Sequence, residues 1–162
     1  METVYLETTV VSYLVAYPSR DLVVSAHQQI TREWWDIAQK QFNLFISEAV
    51  LEEIGRGDPI AVARRQEIVQ KLPVLELNKD VRELVRSYEK NLGLPKQATT
   101  DIVHIAFAVA YEVDYLLTWN CSHIANGEVI RRLLQLNQGL KRATPLILTP
   151  EELLEPIPGG NI

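Results

Sequence analysis

Five short runs that are mostly apolar and do not alternate constrain this chain more than any other feature. They are Val4–Leu6, Phe42–Ile46, Pro73–Leu77, Tyr115–Trp119 and Leu146–Thr149, and segments of helical spacing separate them. A strand with one wet face alternates apolar and polar residues, because successive side chains point to opposite faces. Runs that do not alternate are buried on both faces, as in a parallel sheet covered by helices. The pattern therefore predicts an α/β domain with a central parallel sheet of about five strands.

The intervening segments carry helix signals. Val10, Val11, Leu14 and Val15 follow helical spacing up to Pro18. A longer helix is expected from about Ser25 to Gln41, with Ile30, Trp34, Ile37 and Ala38 on its apolar face. Ser47 is an expected N-cap, with Glu48 in the first turn, where a negative charge suits the helix dipole. The helix it opens carries Val50, Leu51, Glu53 and Ile54 and stops near Gly55 and Gly57. Ile60–Leu72 reads as a further helix, basic on one side. Asn78 caps another, closed by Gly93 and Pro95. Thr99 or Thr100 starts a helix through Ala110, and a last long one runs from about Gly127 to Leu136. Pro150 opens a terminal turn of helix. One domain over residues 1–155 is expected, with 156–162, rich in Pro and Gly, as a loose tail.

The bulk properties exclude more than they assign. The chain has 162 residues, enough to bury a core without staples. Its single cysteine, Cys121, forms no internal disulfide, a usage typical of a reducing cytoplasm. It is expected to be a small packing residue. No apolar stretch is long enough to span a bilayer, and Glu2 and Glu7 interrupt the early apolar run that a signal peptide needs. The formal charge of −5 gives no general attraction for nucleic acid.

In open parallel sheets, sites form beyond the carboxyl ends of the strands. Glu7 directly follows the first expected strand, and Asn120 directly follows the fourth. Glu53 lies in the helix after the second, and Asp101 starts the helix that leads into the fourth. Singly, each has a plain structural reading: a turn residue, a solvated helix acid, a residue favoured by the helix dipole. Jointly they place three carboxylates and an amide at one end of the sheet. Converging carboxylates repel unless a cation neutralises them, and oxygen-only ligands suit Mg²⁺ or Mn²⁺. A metal held in this way activates water against a phosphate ester.

Four segments in this order resemble the PIN-domain family. They are Val4–Leu14, Ile46–Ile54, Thr100–Ala106 and Asp114–Asn126. The resemblance implies a three-layer α/β/α sandwich and a metal-dependent endoribonuclease of the VapC-like toxin kind. It places the family's four acidic positions on Glu7, Glu53, Asp101 and Asn120, as catalytic and metal-binding residues, with Thr8 in support. It implies Mg²⁺ or Mn²⁺ as cofactor, RNA as substrate, a small antitoxin as partner and a homodimer. The first position is usually Asp and is Glu here; the fourth is often Asp and is Asn here. Those departures motivate the alternative of a catalytically weak or inactive PIN-fold binding or scaffold protein. A phosphatase-like α/β enzyme is a third reading, disfavoured because no Gly-rich phosphate loop is present.

Of the remaining candidates, His104 shares a helical face with Asp101 and is expected to be structural. His123 is expected to fix the loop after Asn120. Trp34 and Trp35 cannot share one helix face, so one belongs to the core and the other is free for an interface. The basic pairs Arg64–Arg65, Arg131–Arg132 and Lys141–Arg142 read as solvated surface, or as phosphate contacts where they flank the site.

Overall fold

The computed structural model describes residues 1–154, so the expected tail at 156–162 lies outside the described residues. Five strands form the sheet: β1 (Thr3–Leu6), β2 (Asn43–Ser47), β3 (Val74–Leu75), β4 (Tyr115–Leu117) and β5 (Leu146–Leu148). They lie in the order β3-β2-β1-β4-β5, and every pairing is parallel. Val4, Tyr5 and Leu6 of β1 are all fully buried. Neighbouring residues of a strand point to opposite faces, so both faces of the central strand are covered. This is the parallel, doubly covered sheet that the unbroken apolar runs predict.

Among the described residues there are eight α-helices. They are α1 (Thr8–Val15), α2 (Leu22–Gln41), α3 (Glu48–Ile54), α4 (Pro59–Val69), α5 (Lys79–Asn91), α6 (Thr99–Ala110), α7 (Gly127–Gly139) and α8 (Pro150–Leu154). Helix α1 packs on α2 and α4, and α2 packs on α8. On the other side α5 packs on α6, and the Tyr88 hydroxyl of α5 donates to the side-chain amide oxygen of Asn137 in α7. Helix α3 touches both α1 and α6. Side-chain caps open most of these helices: Asp21, Ser47, Asp58, Asn78 and Asn126 each accept from a first-turn backbone N–H. Gly93 follows α5 with a φ of 71°, the left-handed conformation that glycine adopts at helix ends. No described helix is long and apolar enough to cross a membrane.

Several local expectations are corrected. Ile37 is 41 % exposed and does not belong to the core face of α2; Gln28 and Thr31 are buried there beside Trp34 and Ala38. The fourth strand stops at Leu117, short of Trp119. The Trp119 backbone N–H donates instead to Thr9 Oγ1, which peels the chain away from the ladder. The third strand is only two residues long, because the Leu77 N–H is taken by the Glu48 carboxylate. Cys121 is exposed and packs no core. Trp34 is buried and Trp35 half-buried, which divides the pair as their adjacency requires.

Candidate functional site

From β1 the sheet grows through β2 to one side and through β4 to the other, so the strand order reverses between β1 and β4. At such a switch point the connections leave to opposite faces and open a crevice beyond the strand ends. Glu7 leaves β1 into that crevice, and Thr118, Trp119 and Asn120 leave β4 beside it. The Glu7 N–H still bonds the Leu117 carbonyl at 3.0 Å.

Glu7 is 3 % exposed and caps α1. Its Oε2 accepts from the Thr9 N–H at 3.1 Å, the Thr9 hydroxyl at 2.5 Å and the Thr118 hydroxyl at 2.8 Å. Thr118 Oγ1 in turn accepts the Asn120 N–H at 2.9 Å. One hydroxyl thus joins the ends of β1 and β4.

Asn120 donates its side-chain N–H to Asp101 Oδ1 at 2.9 Å. Its own Oδ1 accepts the backbone N–H groups of Ser122 at 3.2 Å and His123 at 3.0 Å. Backbone N–H groups only donate, so these two bonds fix which end of the amide is oxygen. His123 Nδ1 lies 2.9 Å from Asp101 Oδ2, so both oxygens of Asp101 are engaged.

Glu53 sits in the last turn of α3, with about a quarter of its side chain exposed. Its Oε1 accepts the Thr8 hydroxyl at 3.1 Å and is paired with His104 Nε2. Burial pushes the Glu53 carboxyl up, but the hydrogen bonds from His104 and Thr8 and the nearby Arg56 outweigh it and hold it below the ordinary glutamate value. A shallow cavity of about 160 Å³ lies against Glu53, lined by Glu52, Arg56, Thr99, Thr100 and Val103 among others.

Glu7, Glu53, Asp101, Asn120 and Thr8 therefore share one polar network at the switch point. It runs from Glu53 to Thr8, through the adjacent Glu7, and on through Thr118 and Asn120 to Asp101 and His123. The donors that join its members engage Glu7 Oε2, Glu53 Oε1 and both oxygens of Asp101. Among the described residues, no three His, Cys, Asp or Glu side chains are grouped so as to share a metal ion. Glu7 Oε1 and Glu53 Oε2 accept no hydrogen bond among the described residues and remain available to a cation, whereas the Asn120 oxygen faces its own loop.

Sequence reasoning passed over Thr9 and Thr118 as parts of this network, and over Tyr5 and Ser47, which reach Glu53 through His104. Ser47 was legible only as a helix cap, and Tyr5 only as a core residue of a strand. His104 is fully buried, as a structural histidine should be, but it meets Glu53 and not its helical neighbour Asp101. His123 fixes the loop through its backbone and also contacts Asp101. The basic pairs are largely engaged elsewhere. Arg131 and Arg132 bind Glu128, Arg142 binds Asp80, Arg64 lies over the Tyr17 ring, and Arg65 caps the carbonyls of Ile54 and Arg56.

Solved structures place this architecture. A chain of VapBC2 from Rickettsia felis, in a crystal structure bound to a DNA fragment from the promoter, superposes with a TM-score of 0.59. The match covers 91% of this chain and 98% of that one, at 11% identity. The fold is PIN-like. A chain of VapBC-1 from nontypeable Haemophilus influenzae agrees equally well, with a TM-score of 0.59, 12% identity and coverage of 92% and 98%. At such identities the likeness is one of fold. No protein-family model matches the chain, and no curated protein sequence does. In this PIN-like fold the switch-point crevice, with Glu7 and Asn120 on its two strand ends, is where the polar network lies.

Proposed function

We propose that this chain is a cytoplasmic endoribonuclease that hydrolyses RNA phosphodiester bonds as the toxin of a toxin–antitoxin pair. Its site is Glu7, Glu53, Asp101 and Asn120 with Thr8 in support, its cofactor Mg²⁺ or Mn²⁺, and its partners a small antitoxin and a second copy of itself. The observation that carries the reading is the continuous network that joins those five residues across the β1–β4 switch point. The PIN-like fold shared with the VapBC chains supports it.

Within the site the chain's own groups hold the acids apart and aligned. Thr8 and His104 fix one oxygen of Glu53, and Asn120 and His123 fix both oxygens of Asp101. Use of a metal requires Asp101 to exchange a hydrogen bond for a ligand bond, while the second oxygen of Glu53 accepts no hydrogen bond among the described residues. A purified Asp101→Asn variant is expected to lose RNA cleavage, measured on labelled RNA after contaminating nucleases are excluded. Cleavage at the parental rate sinks the assignment. Growth arrest on expression, relieved by the adjacent reading frame, tests the toxin role; growth without arrest contradicts it.

A catalytically inactive PIN-fold scaffold is the second reading. It is favoured by Asp101, both of whose oxygens are engaged without an ion. Titration calorimetry with Mn²⁺ separates the two. Binding that Asp101→Asn weakens supports the nuclease, and no heat at millimolar metal supports the scaffold.

A further inference from the structure

Helix α3 has only seven residues, too few to hold its own geometry in water. One buried chain of side chains fastens both of its ends. Ser47 caps its start and accepts the Val50 N–H at 3.3 Å. The Ser47 hydroxyl lies 2.7 Å from the Tyr5 hydroxyl of β1, and Tyr5 lies 2.7 Å from His104 Nδ1 of α6. His104 Nε2 then meets Glu53 Oε1, in the last turn of the same helix. Ser47, Tyr5 and His104 are fully buried, so water does not compete for these bonds.

The donors have a consistent direction. The Glu53 carboxylate only accepts, so His104 Nε2 carries the hydrogen that faces it. In the neutral ring Nδ1 then accepts from the Tyr5 hydroxyl, whose oxygen accepts from Ser47 Oγ–H, while Ser47 Oγ accepts the Val50 N–H. Burial pushes the Tyr5 hydroxyl well above its ordinary value, which keeps it a donor.

We infer that His104, held by Tyr5 and Ser47, is a positioning residue that sets where the Glu53 carboxylate stands in the site. The inference deepens the nuclease reading and rests on it for its kinetic consequence. It extends the site into the core, to three residues with no place among the acidic positions. Thr8 fixes the same oxygen from the solvent side, so Glu53 is gripped between a rigid buried donor and a surface one.

The test compares two amides at position 104 in the full chain. Glutamine carries its amide nitrogen where imidazole Nε2 sits, and asparagine carries it where Nδ1 sits. On labelled RNA, His104→Gln is expected to stay within about 3-fold of the parental kcat. His104→Asn is expected to lose about 100-fold in kcat at an unchanged KM, the scale set by a displacement of about 1 Å at a reacting group. Equal rates for the two variants, or a loss confined to KM, overturn the inference. If His104→Asn does not unfold cooperatively, Tyr5→Phe carries the kinetic arm. It is expected to lose about 10-fold in kcat by the same reasoning, and a parental kcat overturns the inference. Nitrogen-15 NMR of the His104 ring decides independently of activity. A slowly exchanging Nε2–H that exchanges rapidly in Glu53→Ala supports the positioning role, and an Nδ1–H tautomer in the parent refutes it. A parent that cuts no RNA removes the nuclease reading and leaves that NMR result to decide whether His104 holds Glu53.

Discussion

Asn120 gives Asp101 a hydrogen bond of 2.9 Å, while its own oxygen is tied to the backbone of Ser122 and His123. An aspartate at that place keeps the acceptor and loses the donor, and it sets a second negative charge beside the first. Asn120→Asp is therefore expected to destabilise the metal-free protein by about 1.5–3 kcal/mol, the range for losing a hydrogen bond to a charged group. Urea unfolding in EDTA measures it. An unchanged midpoint means that the amide does not hold Asp101.

Thr118 is fully buried and joins two strand ends, giving its proton to Glu7 and accepting the Asn120 N–H. Valine has the same shape and neither function. Thr118→Val is expected to cost about 1–3 kcal/mol, because it strips a donor from a buried carboxylate and a partner from a backbone N–H. Amide exchange should rise at Asn120 while the core of β1 stays protected. Exchange unchanged at Asn120 argues against the link.

The depressed value of Glu53 makes part of the stability pH-dependent. A carboxyl whose folded value lies below its unfolded value contributes stability that is present above the unfolded value. That contribution is lost as pH falls through the folded value. With an ordinary glutamate value of 4.5, the loss begins near that pH and continues below it. Glu53→Gln should flatten this limb. Urea midpoints between neutral and acid pH give the comparison, and identical pH slopes for the two proteins contradict the shift.

The strands were legible because burial on both faces of the central ones leaves mostly apolar runs without alternation, though the edge strands β3 and β5 leave Val74 and Leu146 exposed, and Ser47 and Asn78 marked helix starts through their capping chemistry. What escaped depends on partners distant in sequence. Gln28 and Thr31 displace Ile37 from the core face of α2 because each finds hydrogen bonds there. Gln28 bonds the backbone of Ser19 and Tyr17, and Thr31 bonds the His27 carbonyl and the Trp119 indole. Apolarity alone ranks Ile37 above both. Trp119 belongs to an apolar run yet leaves the strand, because Thr9 takes its N–H. The positions of Glu7, Glu53, Asp101 and Asn120 at one end of the sheet followed from strand order in sequence. Their mutual arrangement did not, since it is set by Thr118, His104 and His123, whose side chains meet the acids from other elements.

The most direct test of the proposed metal-dependent nuclease is a crystal structure of the protein in Mn²⁺. The account predicts an ion bound by oxygens of Glu7, Glu53 and Asp101, with the Asp101–His123 contact broken to free a ligand. Crystals that hold no Mn²⁺ on these three residues at millimolar metal, with the hydrogen bonds of the network intact, contradict it.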